Sequence, residues 1–411
     1  MKRSLITFLF LVCAFVPLHA QRRADNRAVL FQVGKVYVGN DTVLSPGMVL
    51  VKNGKIAAVG KTLEVPKGTM KVNRPNWTLT PGMIDAAAEG FGNSTEGISE
   101  VIPGFKVSDG LDLSQKQMKT LAKEGVTTVF VTASTDSVIG CQGAIAKTGE
   151  KARVLSHEGD PKLTVSKGAV NGNRGPSQFS GISVYTRRPT SQMGIIFVAR
   201  DAFTKAQEYA KAKQSKNKPD KDLHYDVLAD VLAKKRPIRV RGEEQYELTA
   251  ALKMVVEFGF TPIFENAIEA WRIAKDMKRH GASLVFGPAM PQPAPTGRFG
   301  RRGAPAKTHP RAAKMLVDEG VQMALTAGSN TGEKGLARQA GYTMRYGLTR
   351  IQAVKAVTSI PAAMLGMEKK IGLIKVGLDA DFVLWTGEPF ASTSRPEIVF
   401  IDGVAVKGKT F

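Results

Sequence analysis

Histidine and cysteine are scarce in this chain, with five and two among its 411 residues. So few imidazoles leave little room for a nitrogen-rich metal centre. Cys13 falls in an N-terminal leader, which leaves Cys141 alone and excludes an internal disulfide. In Gly140-Cys141-Gln142-Gly143 it reads as a small residue in a tight turn and not as a nucleophile. The apolar run ITFLFLVCAFVPL is too short to span a membrane, so no transmembrane segment is expected. With Lys2 and Arg3 before it and Leu18-His19-Ala20 after it, the run is read as a signal peptide over 1–20. Export across the inner membrane to the periplasm is the expectation, with a mature start near Gln21.

Acidic residues are also in deficit. The chain has 58 Lys and Arg against 36 Asp and Glu, for a net charge of +22. About +20 remains without the leader, a balance that favours an anionic ligand or surface. Much of the excess sits in AKAKQSKNKPDKD (210–222) and PTGRFGRRGAPAKTHPRAAK (295–314). Both read as solvated loops or helix ends. Neither carries a recognition helix, a zinc finger or an aromatic-basic platform, so nucleic acid is not an expected partner. The prolines and glycines of 293–305 cannot sustain a helix or a central strand, so 293–314 is expected to be a basic loop.

What is present is a clear alternation of elements. Residues 27–80 are strand-like, and Asn53-Gly54 supplies the two positive-φ residues of a type I′ hairpin. From about residue 81, helices end on Gly125, Gly259, Gly281 and Gly320, each followed by a short apolar strand. Repeated helix, glycine and strand mark βα units on a parallel sheet, and the span 81–370 has the size of an eight-stranded barrel. Beyond 370 the chain is strand-like again. Hairpins are marginal alone, so a small β-domain built from 27–80 and 371–411 is the economical reading.

The motifs resemble the amidohydrolase superfamily, in particular its exported imidazolonepropionase-like branch. They are Asn53-Gly54-Lys55-Ile56, Thr80-Pro81-Gly82-Met83-Ile84-Asp85, Ala356-Val357-Thr358-Ser359-Ile360-Pro361-Ala362, and Asp379-Ala380-Asp381-Phe382-Val383-Leu384-Trp385 with Ile401-Asp402-Gly403. The resemblance implies an α/β fold, a (β/α)8 TIM-like barrel with a small β-sandwich domain from both chain ends. It also implies hydrolysis of C–N bonds at zinc or another divalent metal, which brings the pKa of bound water toward neutrality.

The chain departs from that pattern at the ligand positions. By the resemblance, the first-strand histidine pair falls on Ala87 and Glu89, and the fifth-strand pair on Arg241 and Glu243. The sixth-strand histidine falls on Asn266 and the eighth-strand aspartate on Gly328; the family's bridging lysine has no assigned position. No catalytic or metal-ligating residue is therefore expected, and no cofactor. Glu89 and Arg241 are expected to face each other and replace the metal's charge, with Arg239 on the same strand face. The resulting expectation is a non-catalytic ligand-binding protein, a homo-oligomer or a hetero-oligomer with a catalytic homologue. The alternative is an active hydrolase of non-peptide C–N bonds or dipeptide-like amides with an unconventional carboxylate site or another metal, where Glu89, Glu243 and Glu265 would hold a hard cation with oxygen ligands.

Overall fold

The computed structural model describes residues 28–92, 96, 99–166, 169, 189, 191–290 and 308–408. The leader and residues 291–307 of the basic segment lie outside the described residues. Strands β1 (Val29–Tyr37), β2 (Val43–Leu44), β3 (Gly47–Lys52), β4 (Lys55–Gly60) and β5 (Met70–Pro81) open the chain. Asn53 and Gly54 take φ of 54° and 72°, which fits the tight β3–β4 hairpin. Next come β6 (Met83–Ala88), β7 (Val126–Val131), β8 (Ile139–Gln142), β9 (Ala144–Lys147), β10 (Arg153–Ser156) and β11 (Pro161–Thr164). Then follow β12 (Ile238–Arg241), β13 (Pro262–Glu265), β14 (Ser283–Phe286), β15 (Met323–Leu325), β16 (Phe382–Trp385), β17 (Pro396–Ile401) and β18 (Val404–Lys407).

One eight-stranded sheet draws β1–β5 from the start of the chain and β16–β18 from its end. Its outer strands come together where the Ala380 N–H donates to Gly54 O at 2.9 Å and Gly403 packs on Gly54. The sheet thus bends around its own apolar filling, in which Phe31, Phe382 and Phe400 stack or meet edge-on at 4.7–5.1 Å between ring centres. Two further sheets, β10-β9-β7-β6 and β15-β14-β13-β12-β11-β8, make up the middle of the chain.

In the middle, β6–β7 pair in parallel, as do β11 through β15. Between these runs the expected barrel pattern fails: β9 runs antiparallel to β7, and β8 antiparallel to β11. The chain 139–147 passes from one sheet to the other at Gly143. There a Cβ would lie 2.3 Å from the Phe130 ring and 2.8 Å from Val131 O, so only glycine allows the crossing. Hydrogen-bonded pairing among the described residues does not close the two sheets into one ladder. Side chains join β6 to the end of β15 instead, with Thr326 Oγ1 donating to the Asp85 carboxylate and lying 3.1 Å from Ala87 O.

Candidate functional site

Strands β11, β12 and β13 set the site through their register. Lys162 pairs with Arg239, Thr164 with Arg241, and Arg241 with Glu265. Side chains two residues apart share a strand face, so these five project to one side of the sheet. All but Arg241 are buried almost completely. Glu265 is the hub. Its carboxylate lies 3.0 Å from Lys162 Nζ and 3.3 Å from Arg239 Nη1, and accepts from Thr132 Oγ1 at 3.1 Å. Burial pushes the Glu265 carboxyl up, but Lys162 and Arg239 outweigh it and hold the group below the usual carboxylate range. Arg239 also donates to Asp160 Oδ2 and to Ala86 O, each at 3.0 Å, and its guanidinium lies 4.0 Å over the Phe130 ring. Asp160 moves the other way, with burial raising it more than Arg239 lowers it.

Arg241 stands nearer solvent, its side chain 14% exposed. It donates to Glu243 Oε1 at 3.2 Å and meets Glu89 Oε1 at 3.5 Å. With the Asn266 amide oxygen turned toward it, Arg241 also donates there at 2.7 and 2.9 Å, while the amide nitrogen donates to Gly287 O. Glu247, buried at the start of the helix Gln245–Phe258, accepts the N–H groups of Glu243 and Glu244 and so fixes the chain just after β12.

Six of the residues singled out from sequence (Glu89, Arg239, Arg241, Glu243, Glu265 and Asn266) thus meet in one cluster. Ala87 and Gly328 lie apart from it, along the join of β6 and β15. There the buried Asp85 carboxylate accepts from Thr326 Oγ1, from Ala327 N–H at 3.1 Å and from Ala87 N–H at 3.3 Å. Gly328 takes φ of 59° and donates its N–H to Thr326 Oγ1 at 2.9 Å. Sequence reasoning missed Lys162 and Asp160. A signal was there: in Lys162-Leu163-Thr164-Val165-Ser166 polar and apolar residues alternate as in a strand with a polar inner face.

Among the described residues no three His, Cys, Asp or Glu side chains are grouped to hold a metal ion. Two histidines are engaged elsewhere: His224 Nδ1 accepts from Gly104 N–H, and His309 Nδ1 from Arg311 N–H. A divalent cation beside Glu265 would sit among Lys162, Arg239 and Arg241, each of which repels it, and would find no imidazole or thiolate. The donor set does not fit the metal that the resemblance implies. Cys141 is buried and its thiol is pushed up to about 11 by that burial, which removes it as a nucleophile. No helix of the described residues is long and apolar enough to cross a membrane.

Solved structures define the class first. An amidohydrolase from Thermotoga maritima MSB8 superposes with a TM-score of 0.80 at 28% identity, covering 93% of this chain and 100% of its own. An ochratoxinase from A. niger shares the fold at 16% identity and a TM-score of 0.56, over 93% of this chain and 96% of its own. The architecture is therefore a TIM-barrel-like α/β fold. In sequence, a family described as the amidohydrolase family matches residues 235–409. Amidohydrolase tasK of Hapsidospora irregularis is 25% identical over 403 residues, 87% of this chain and 40% of its own length. This chain thus spans less than half of that curated relative. In sequence and in fold it is similar to the amidohydrolase superfamily.

Proposed function

We propose that this chain is an exported member of the imidazolonepropionase-like branch that has given up metal-dependent C–N hydrolysis and serves as a ligand-binding or partner subunit. One observation carries the reading. Where a metal centre needs neutral imidazoles and carboxylates, Lys162, Arg239 and Arg241 surround the buried Glu265. A Lewis-acidic ion lowers the pKa of its water by its positive charge, and protein cations tied up in ion pairs supply no such open coordination position. In this reading the two middle sheets form the wall of one barrel over 81–370. The eight-stranded sheet is a composite domain of 27–80 and 371–411, and the leader directs the chain to the periplasm.

A second reading is favoured by the relatives, since the Thermotoga maritima structure and tasK both carry the name amidohydrolase. It keeps a hydrolase, acting on amides through an unconventional carboxylate site or another metal. Elemental analysis of the purified mature protein, with a hydrolysis assay on a panel of dipeptides and acyl amides, separates the two. Substoichiometric metal and no turnover above buffer are expected. About one zinc, manganese or iron per chain, with turnover lost on chelation, would overturn the proposal.

A further inference from the structure

Buried polar groups in folded proteins almost always find partners, and those that do not call for an explanation. Four such groups lie together in the barrel cluster: Arg239 Nη2, Arg241 Nε and Thr164 Oγ1 make no hydrogen bond, and Lys162 Nζ has only its ion pair with Glu265 at 3.0 Å. They come from only two neighbouring strands. Lys162 and Arg239 are register partners, and so are Thr164 and Arg241, which confines all four to one patch of the inner face. Three belong to cations, and all four can donate.

We propose that this patch binds one small carboxylate, received by Lys162, Arg239 and Arg241 with the Thr164 hydroxyl as a further donor. The inference rests on the metal-free reading of the chain and gives that reading its ligand class. Among the members buried almost completely, two cations, Lys162 and Arg239, face a single anion, Glu265. The remaining acids lie outward or are otherwise engaged. Glu89 is 54% exposed, Asp160 bonds the far side of Arg239 through Nε, and Glu243 bonds Arg241 Nη2. Asp160 and Glu243 already balance the charges of Arg239 and Arg241, so what a ligand supplies here is acceptors for the unpaired donors. A dianion such as phosphate would bring two charges close to Glu265 and Asp160, so a planar monoanion suits the guanidinium forks better. Arg241 and Glu89 stand at the solvent side, on the path such a ligand would take.

The test is isothermal titration of the full mature chain with acetate and, in parallel, with inorganic phosphate, on protein whose metal content has been measured. Saturable acetate binding is expected, at least tenfold tighter than phosphate. Lys162→Met should abolish it. Thr164→Val, which keeps the shape and the charges, should weaken it about tenfold while the far-ultraviolet spectrum stays unchanged. Acetate should also raise the melting temperature of wild type in proportion to its occupancy, and that of Lys162→Met not at all. No saturable binding on metal-free protein, or equal binding by wild type and both variants, would sink the carboxylate site and leave the metal-free reading standing. Stoichiometric metal on the same sample would overturn the metal-free reading itself, and this inference with it.

Discussion

Two buried lysines in this molecule do opposite things with their charge. Lys147, at the end of β9, is fully enclosed and reaches Asp379 at 2.7 Å, Asp381 at 3.1 Å and Asp402. Lys55 and Arg153 brace the outer sides of Asp379 and Asp402. Each donor of Lys147 has its own carboxylate, and the cluster ties the eight-stranded sheet to the middle of the chain. Lys162 has one carboxylate, shares it with Arg239, and lies among donors with nothing to bond. In the Lys147 network only Asp381 Oδ2 lacks a hydrogen bond, and it keeps its ion pair with Lys147 at 3.0 Å, whereas three donors around Lys162 lack any acceptor. A buried network with its partners in place specifies structure; one left short of acceptors is arranged for something else.

The largest effect should come from breaking the Lys147 network. Lys147→Met would leave three carboxylates facing one another without their common cation. A loss of about 3–5 kcal/mol is expected, read as a lower urea midpoint at unchanged slope. A loss below about 1 kcal/mol would show that the cluster is not the join it is taken for.

The same cluster gives a pH signature. Burial raises Asp381 to about 6, above its ordinary 3.8, so the folded chain keeps a proton that the unfolded chain has released. Stability should therefore fall as pH rises from about 4 to 6, by at most about 3 kcal/mol at ~1.4 per pKa unit. Asp379 and Asp402 act in the opposite sense. Burial raises both, but Lys147 with Lys55 or Arg153 outweighs it and holds them low, so their contribution is lost as pH drops below about 4. Asp381→Asn should flatten the fall between pH 4 and 6 and leave the acid limb in place. An unchanged profile in that variant would rule out Asp381 as its source.

At the other lysine the effect should be smaller. Lys162→Met removes one partner of Glu265 but leaves Arg239 and Thr132 against the same carboxylate. About 1–3 kcal/mol is expected, the worth of a single charged hydrogen bond. If Lys162→Met costs as much as Lys147→Met, the two clusters are alike and the contrast between them fails.

How much of this was legible in sequence follows from local signals. The Asn53-Gly54 hairpin and the glycine-ended helix Gln245–Phe258, whose Gly259 has φ of 74°, carry their own turn chemistry, and the fold shows both. Arg239, Arg241 and Glu265 share one sheet face through strand alternation and register, although their ion pairs with Lys162 and Asp160 do not show in any spacing. Those two sit around the four-residue strand β11, too short to stand out beside a proline and a glycine. The antiparallel passage through β8 and β9 was illegible for another reason. It depends on how closely Phe130 approaches Gly143, a tertiary contact with no local pattern.

The smallest effect concerns the pair that sequence motifs put face to face. Glu89 and Arg241 do meet, but at 3.5 Å and with the glutamate side chain 54% exposed. Arg241 does not depend on it, since Glu243 and the Asn266 amide oxygen hold the guanidinium from other sides. Water can solvate each partner in the other's absence, so the gain in attraction is nearly cancelled by the lost side-chain freedom. Glu89→Ala should therefore cost about 0–1 kcal/mol, and that small cost should vanish at ~1 M salt, where exposed charges are screened within about 3 Å. Thermal unfolding at low and high salt measures both. A loss of about 3–5 kcal/mol that persists in salt would mean that the pair is sealed from water in solution. Glu89 would then belong with the inner ion pairs and not with the rim.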